Sequence, residues 1–311
     1  MIDTITIRQS YKQEDKEKLK GFFKDKLILK SDTKYLDGIK GKNLIGSYAN
    51  WVFYLGDINF KIVGSLTTAS KRNNIYNSTY EDIKLAIDEL KQLFCLNLDN
   101  ATILRVDVAY NFILNQPVFN YLNFLVCPES FKANIHPGET LQFTRKGIVV
   151  AFYDKIKERA KSKKLPQPFK QKNVLRFEMR IRNEGLNDIG LSKLSFGELS
   201  NENSYLKLVD AWFNRYLMIQ KKKKYAFPQI ESISVSGLKN LALKQFLGTS
   251  TATDYITELL ADKSVTAKQR HDINRCINSI NLGQCTSSKL ENELHNKIRM
   301  AYCRNLSEVS Y

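Results

Sequence analysis

The chain has 311 residues, of which 43% are hydrophobic and 26% charged, so it can bury a sizeable core in one large domain or a large and a small one. It contains no run of 18 apolar residues, which argues against a membrane span. Its net charge of +16 calls for an anionic partner, and nucleic acid is the commonest one for a soluble protein this basic.

The start, Met1 to Arg8, alternates Ile5 and Ile7 with Thr4 and Thr6 and reads as a strand. It lacks the basic and apolar regions of a signal peptide, so a cytoplasmic location is expected. A charged stretch from Tyr11 to Lys26 reads as an exposed helix or arm. Asn50 to Val63 holds two apolar runs around Gly56-Asp57, a hairpin signal in which glycine would supply a positive φ. The polar segment from Thr67 to Asn77, with Lys71 and Arg72, reads as a loop.

Ser78-Thr-Tyr-Glu81 reads as a capping box. Ile83, Ile87, Leu90 and Phe94 then recur at helical spacing, which predicts a packing helix to about Leu96. A strand follows over Ile103 to Phe112. Leu104, Val106, Val108 and Phe112 form its apolar face, and Arg105, Asp107, Ala109 and Asn111 its polar one. Pro117 to Pro137 is a mixed connector. Thr140 to Thr144 and Ile148 to Tyr153 pair as a hairpin through the basic turn Arg145-Lys-Gly147.

After Tyr153-Asp-Lys155 the chain turns Lys-rich, and then Val174 to Arg182 alternates throughout. Leu175, Phe177, Met179 and Ile181 point one way; Arg176, Glu178, Arg180 and Arg182 point the other, as on a half-buried strand. Asn201 to Lys221 is a helix with Tyr205, Leu208, Val209, Trp212 and Tyr216 on its apolar stripe. The four lysines 221–224 and Pro228 mark a boundary between a domain over 1–224 and a helical part over 225–311. Helices are expected there at about 235–247, 252–262, 266–281 and 287–304. The fold class is therefore α+β: an antiparallel sheet flanked by helices, with a helical C-terminal part.

Five scattered cysteines form no C-x-x-C pair, so neither a disulfide framework nor a zinc site is expected. The chemistry lies instead on three strands with polar faces. Asp107 and Glu178 are hard oxygen ligands suited to Mg²⁺ or Mn²⁺. Tyr153 is a candidate nucleophile toward a DNA phosphodiester. A free phenol ionises near pH ~10 and needs nearby positive charge, which the metal and Lys155 would supply. Arg105 and Arg176 would offset charge on the phosphate oxygens. Lys71, Arg72, Arg145, Lys146, Arg180 and Arg182 are the expected DNA contacts. For the proposed site to exist, Asp107, Tyr153 and Glu178 must converge on one face of one sheet. Tyr110 and Tyr205 are the alternative nucleophiles.

Five segments in order resemble the phage and plasmid rolling-circle replication initiators of the II/X replication protein family. They are Met1-Ile-Asp-Thr-Ile5, Lys71-Arg-Asn-Asn74, Leu104-Arg-Val-Asp-Val-Ala-Tyr-Asn-Phe112, Phe152-Tyr-Asp-Lys155 and Leu175-Arg-Phe-Glu-Met-Arg180. The resemblance spans about residues 1 to 220. It implies nicking and joining of one strand at an origin, with the family's tyrosine on Tyr153 and its acidic positions on Asp107 and Glu178. Better-known rolling-circle nickases bind metal through a His-hydrophobe-His pair, whereas this chain has only His136, His271 and His295, far apart. A metal would therefore be carboxylate-bound. The chain has no Walker-type phosphate loop, so unwinding would need a partner helicase, and a homodimer is open. The competing readings are a DNA-binding origin or regulatory protein without catalysis and an RNA-binding factor.

Overall fold

In the computed structural model of the chain, the described residues are 1–30, 44–136, 139–160, 165–191, 193–221, 266–269, 271 and 289–309. The chain divides into two compact units, Met1–Lys221 with Leu290–Tyr311, and Lys222–Lys289. The expected helices at 235–247 and 252–262, most of 266–281, and the lysines 222–224 lie outside the described residues. The last segment is helical over Lys289–Ser307, and from Leu290 on it belongs to the first unit.

That first unit is α+β and is built on a ten-stranded sheet. In chain order its strands are β1 (Ile2–Ser10), β2 (Ile28–Lys30), β3 (Leu44–Tyr48), β4 (Trp51–Leu55) and β5 (Asn59–Ser65), then β6 (Thr102–Leu114). A short β7 (Leu125–Val126) is followed by β8 (Lys132–His136), β9 (Thr140–Arg145), β10 (Ile148–Asp154) and β11 (Asn173–Arg182). The sheet runs β2-β3-β4-β5-β1-β6-β11-β10-β9-β8, and every neighbouring pair is antiparallel. Strands β7 and β12 (Gln220–Lys221) form a separate two-stranded ribbon.

Alternation divides the sheet into two chemically distinct faces. The apolar face carries Ile5, Ile7, Phe53, Ile62, Val106, Val108, Phe152, Phe177, Met179 and Ile181, all fully buried. Helix α6 (Glu202–Leu217), capped by the Asn201 side chain, lays its apolar stripe on this face. Its Trp212 ring stacks 4.6 Å from Phe177. Helix α1 (Lys16–Lys26) packs there too, with Phe22 5.6 Å from Phe53. The charged stretch from Tyr11 to Lys26 is thus not a plain exposed arm, because Leu19, Phe22 and Phe23 give it a buried stripe. The C-terminal helix, here α7 (Lys289–Ser307), joins α6 by stacking Tyr302 on Phe213 at 4.2 Å.

Several local expectations shift. On β6 the buried apolar residue is Ile103 rather than Leu104. Consecutive Thr6 and Ile7 on β1 oppose Arg105 and Ile103, so Leu104 is the extra residue of a β-bulge that resets the alternation. The capping box is one residue later than expected: Thr79 caps α3 (Tyr80–Leu93) and Asp82 returns the hydrogen bond. The segment after β5 is a helix, α2 (Leu66–Lys71), capped by Ser65, before it becomes a loop. The connector over Pro117 to Pro137 contains α4 (Val118–Leu122) as well as β7 and β8.

The two hairpin turns differ in an instructive way. Arg145-Lys-Gly147 does need its glycine, since Gly147 sits at φ 69° with the Gly185 backbone against it. The β4–β5 turn does not: Gly56 has no positive φ, and the turn closes by donation from Gly56 N to Asn59 O at 2.8 Å.

Candidate active site

The polar face of the sheet is where the predicted residues meet. Strand β11 projects Arg176, Glu178 and Arg180 to it, and cross-strand register fixes their neighbours. Tyr153 on β10 stands directly opposite Arg176, while Asp107 on β6 stands opposite Arg180. Asp107, Tyr153 and Glu178 therefore lie on one face of three adjacent strands. The half-buried character expected of β11 is not observed, because Arg176 and Glu178 on its polar side are buried as deeply as its apolar side.

Glu178 is the hub. Its Oε2 accepts from Tyr153 Oη at 2.8 Å and from Arg176 Nε at 2.8 Å, and its Oε1 accepts from Arg180 Nε. Arg176 also donates to the Asp3 carboxylate on β1. Arg105 grips Asp107 with two hydrogen bonds, from Nε at 2.7 Å and the terminal nitrogen at 2.6 Å. Three guanidiniums thus balance three carboxylates, as burial of this many charges demands.

Asn74, in the loop after α2, secures the closed end of the cluster. Its carbonyl accepts from Arg176 at 3.3 Å and from Asn111 at 3.1 Å, and its side chain accepts from Arg159 at 2.8 Å. Beside it a small apolar cluster of Ile75, Phe169 and Val174 covers that end of the face. The opposite end is open: the side chains of Arg105 and Arg180 are 39% and 34% exposed, whereas that of Arg176 is 2% exposed. The site is buried on the Arg176 side and partly exposed on the Arg105 and Arg180 side.

Burial alone would raise the Glu178 carboxyl, but Arg176 and Arg180 outweigh it and hold it well below the usual carboxylate range. Burial pushes the Tyr153 phenol well above its ordinary value; Arg176 opposes this and Glu178 reinforces it. As the site stands, a protonated phenol donates to an ionised carboxylate. Burial also raises Asp107, against the hydrogen bonds from Arg105.

The remaining predicted residues divide. Lys155, at the start of α5 (Lys155–Ala160), is buried with its Nζ 2.9 Å from Glu158 and 5.7 Å from the centre of the Tyr153 ring. Lys71 pairs with Asp82 at the α3 N-terminus at 2.7 Å, and Arg72 closes α2 in a left-handed conformation at φ 59°. Arg145 and Lys146 are exposed on the β9–β10 turn, away from the carboxylates. Arg182 is exposed on the polar face, opposite Arg105.

Both alternative tyrosines lie elsewhere. Tyr110 pairs with Phe177 on the apolar side, and buried Tyr205 bonds to Asn305 at 2.7 Å. Asp3, Asn74 and Asn111 are site residues that sequence reasoning left without a role. Asn111 was legible as a polar-face residue; Asp3 and Asn74 carried only their place in the two short motifs near the N-terminus.

The donor chemistry suits a hard divalent cation, since Asp107 and Glu178 are carboxylates on adjacent strands. Both Asp107 oxygens are taken by Arg105 and Glu178 Oε1 by Arg180, so a cation bound there would have to displace these partly exposed guanidiniums. Among the described residues no group of three His, Cys, Asp or Glu side chains could hold a metal. Water or substrate oxygens would have to complete the coordination.

Residues 40–214, more than half of the chain, match a family model, Phage_CRI, that describes the N-terminal part of a phage replication-associated protein. No curated protein matches the chain. Among the described residues no helix is long and apolar enough to cross a membrane.

Proposed function

This chain belongs to the phage replication-associated protein family, whose N-terminal part it matches, and from that premise we propose that it initiates rolling-circle replication by nicking and rejoining one strand at an origin. The nucleophile is Tyr153. Its Oη attacks a phosphodiester phosphorus, the bond from phosphorus to the 3′ oxygen breaks, and the 5′ phosphate stays on the tyrosine. Glu178 holds the Oη in line through its hydrogen bond, the phenol proton is lost to solvent as the phenolate forms, and the departing 3′ oxygen takes a proton from solvent. Attack by a 3′ hydroxyl on the phosphotyrosine reverses each step, so strand closure needs no nucleotide hydrolysis.

One observation carries this assignment: the 2.8 Å hydrogen bond from Tyr153 Oη to a buried carboxylate flanked by two guanidiniums. Tyr121 and Tyr302 also donate to carboxylates, Glu293 and Asp210; what sets Tyr153 apart is that its acceptor is buried and shared with two arginines. Glu178 positions the phenol oxygen through this hydrogen bond. Arg105 and Arg180, partly exposed, are able to turn toward the equatorial phosphate oxygens and stabilise their growing charge.

Mg²⁺ or Mn²⁺, held by Asp107 and Glu178, would supply Lewis-acid stabilisation of the phenolate and the phosphate oxygens. Arg176, buried and held by Asp3, keeps Glu178 in place whatever the outer arginines do. Origin DNA is the partner, with a helicase supplied by the host for unwinding. The test is nicking of supercoiled origin plasmid with Mg²⁺ or Mn²⁺. Wild type should cut and Tyr153→Phe should not, while both bind DNA in gel shifts. Nicking by Tyr153→Phe would eliminate this nucleophile.

A further inference from the structure

Strand β6 loses its neighbour before it ends. Its register with β1 runs to Val108, opposite Ile2, and the ladder closes where Ala109 N donates to Met1 O at 3.0 Å. Alternate residues of a strand bond to the same side, so the Asn111 N–H and C=O point where Ala109 does, past the β1 register. The side chain of Asn77 meets both. Its Oδ1 accepts from Asn111 N at 2.8 Å, and its Nδ2 donates to Asn111 O at 3.0 Å. A residue in a hydrogen-bonded antiparallel pair exchanges the same two bonds, and a primary amide carries the donor and acceptor to imitate it. Asn77 is itself held by its neighbours in the chain: Thr79 caps α3, and Ser78 O accepts from the Met1 amine at 3.0 Å.

With its backbone fixed, Asn111 turns its side chain into the site. Its Nδ2 donates to the carbonyls of Asn74 at 3.1 Å and Ile75 at 3.0 Å, which leaves Oδ1 to accept from Arg176 Nη1 at 3.4 Å. Arg176 gives the same nitrogen to Asn74 O, its Nη2 to Asp3 and its Nε to Glu178 Oε2. Acids thus hold two nitrogens of the guanidinium, and asparagines hold the third. Register puts Asn111, Arg176 and Tyr153 in one row across β6, β11 and β10. Glu178 Oε2 accepts from Arg176 and Tyr153 alike. We propose that Asn77 is a positioning residue for the nucleophile: through Asn111 and Arg176 it sets where Glu178 holds the Tyr153 hydroxyl. A carboxylate at 77 would accept but not donate, and would leave the Asn111 carbonyl without that partner. This role rests on the nicking function proposed above, to which it adds a residue outside the three site strands.

The experiment takes one readout from the tyrosine and one from the reaction, both on the full chain. Replacing the 15 tyrosines by fluorotyrosine gives fluorine NMR resonances, and the one absent in Tyr153→Phe belongs to Tyr153. Asn77→Ala should move or broaden that resonance and leave in place the one that Tyr302→Phe removes. In unlabelled protein it should lower the single-turnover nicking rate at saturating DNA about tenfold per folded molecule, with DNA affinity unchanged; a misplacement of about 1 Å can cost about 10²-fold. Asn77→Asp keeps the acceptor and loses the donor, so it should fall between wild type and Asn77→Ala in both readouts. It also carries the test if Asn77→Ala does not fold. Phe213→Ala removes the Tyr302 stack on the other face and reports general destabilisation; it should move neither the Tyr153 resonance nor the rate. An unmoved Tyr153 resonance and an unchanged rate in a folded Asn77 variant overturn the role and leave nicking by wild type intact. If wild type cuts no DNA but the Tyr153 resonance still moves, the nicking function falls and the hold of Asn77 on Tyr153 stands.

Discussion

Tyr153 and Glu178, two residues out of register on neighbouring strands, are joined by a 2.8 Å hydrogen bond at the centre of a buried ionic cluster. The carboxylate that accepts the phenol hydrogen bond is the one on which Arg176 and Arg180 converge. Site chemistry and fold stability therefore meet in one side chain.

Glu178→Gln should harm both. Removing one member of a buried charge cluster leaves two guanidiniums without their shared partner, at a cost of about 3–5 kcal/mol. Loss of the carboxylate that positions the nucleophile should lower the nicking rate by about 10². Urea unfolding and single-turnover nicking at saturating DNA check the two effects separately.

The same residue sets an acid limit. In the folded protein Glu178 is held well below the usual carboxylate range, whereas in the unfolded chain it takes up a proton near roughly pH 4.3. Below that pH the unfolded state binds more protons. The stability Glu178 contributes is thus present above about pH 4.3 and is lost as pH falls toward the folded value. The melting temperature should drop more steeply with acid in wild type than in Glu178→Gln. Parallel profiles would contradict this.

Asp3 holds Arg176 in the site and also accepts from Ser65. Asp3→Asn should cost about 3 kcal/mol, the low end for a buried pair because the amide still accepts a hydrogen bond. A positioning role also predicts a lower nicking rate at saturating DNA with unchanged DNA affinity. A merely structural role would leave the rate of the folded fraction intact, so rate measured per folded molecule is the discriminating readout.

Much of this was legible in the sequence. Alternation on β6, β10 and β11 marked the polar residues of the site, and a shared face followed once those strands proved to be neighbours. Strand adjacency itself was not legible: β1, the first strand, lies between β5 and β6, and nothing local in Met1 to Ser10 encodes that. Asp3 was missed for this reason. Leu104 was misassigned because a bulge is a property of two strands and leaves no mark on one. Lys155 was expected to favour the phenolate, but its pairing with Glu158 depends on a helical turn beginning at that residue.

The apolar side makes an independent demand. Trp212 packs between Phe112 and Phe177 and donates to the Phe177 carbonyl at 3.4 Å, directly behind the site strands. Trp212→Ala should cost about 3–5 kcal/mol. Equilibrium denaturation checks the value.

The most direct test of the central claim is to trap origin DNA covalently on the protein and map the modified residue by mass spectrometry. The account predicts a 5′-phosphate on the peptide containing Tyr153, absent in Tyr153→Phe. An adduct on Tyr110, Tyr205 or any other residue, or one that persists in Tyr153→Phe, would contradict it.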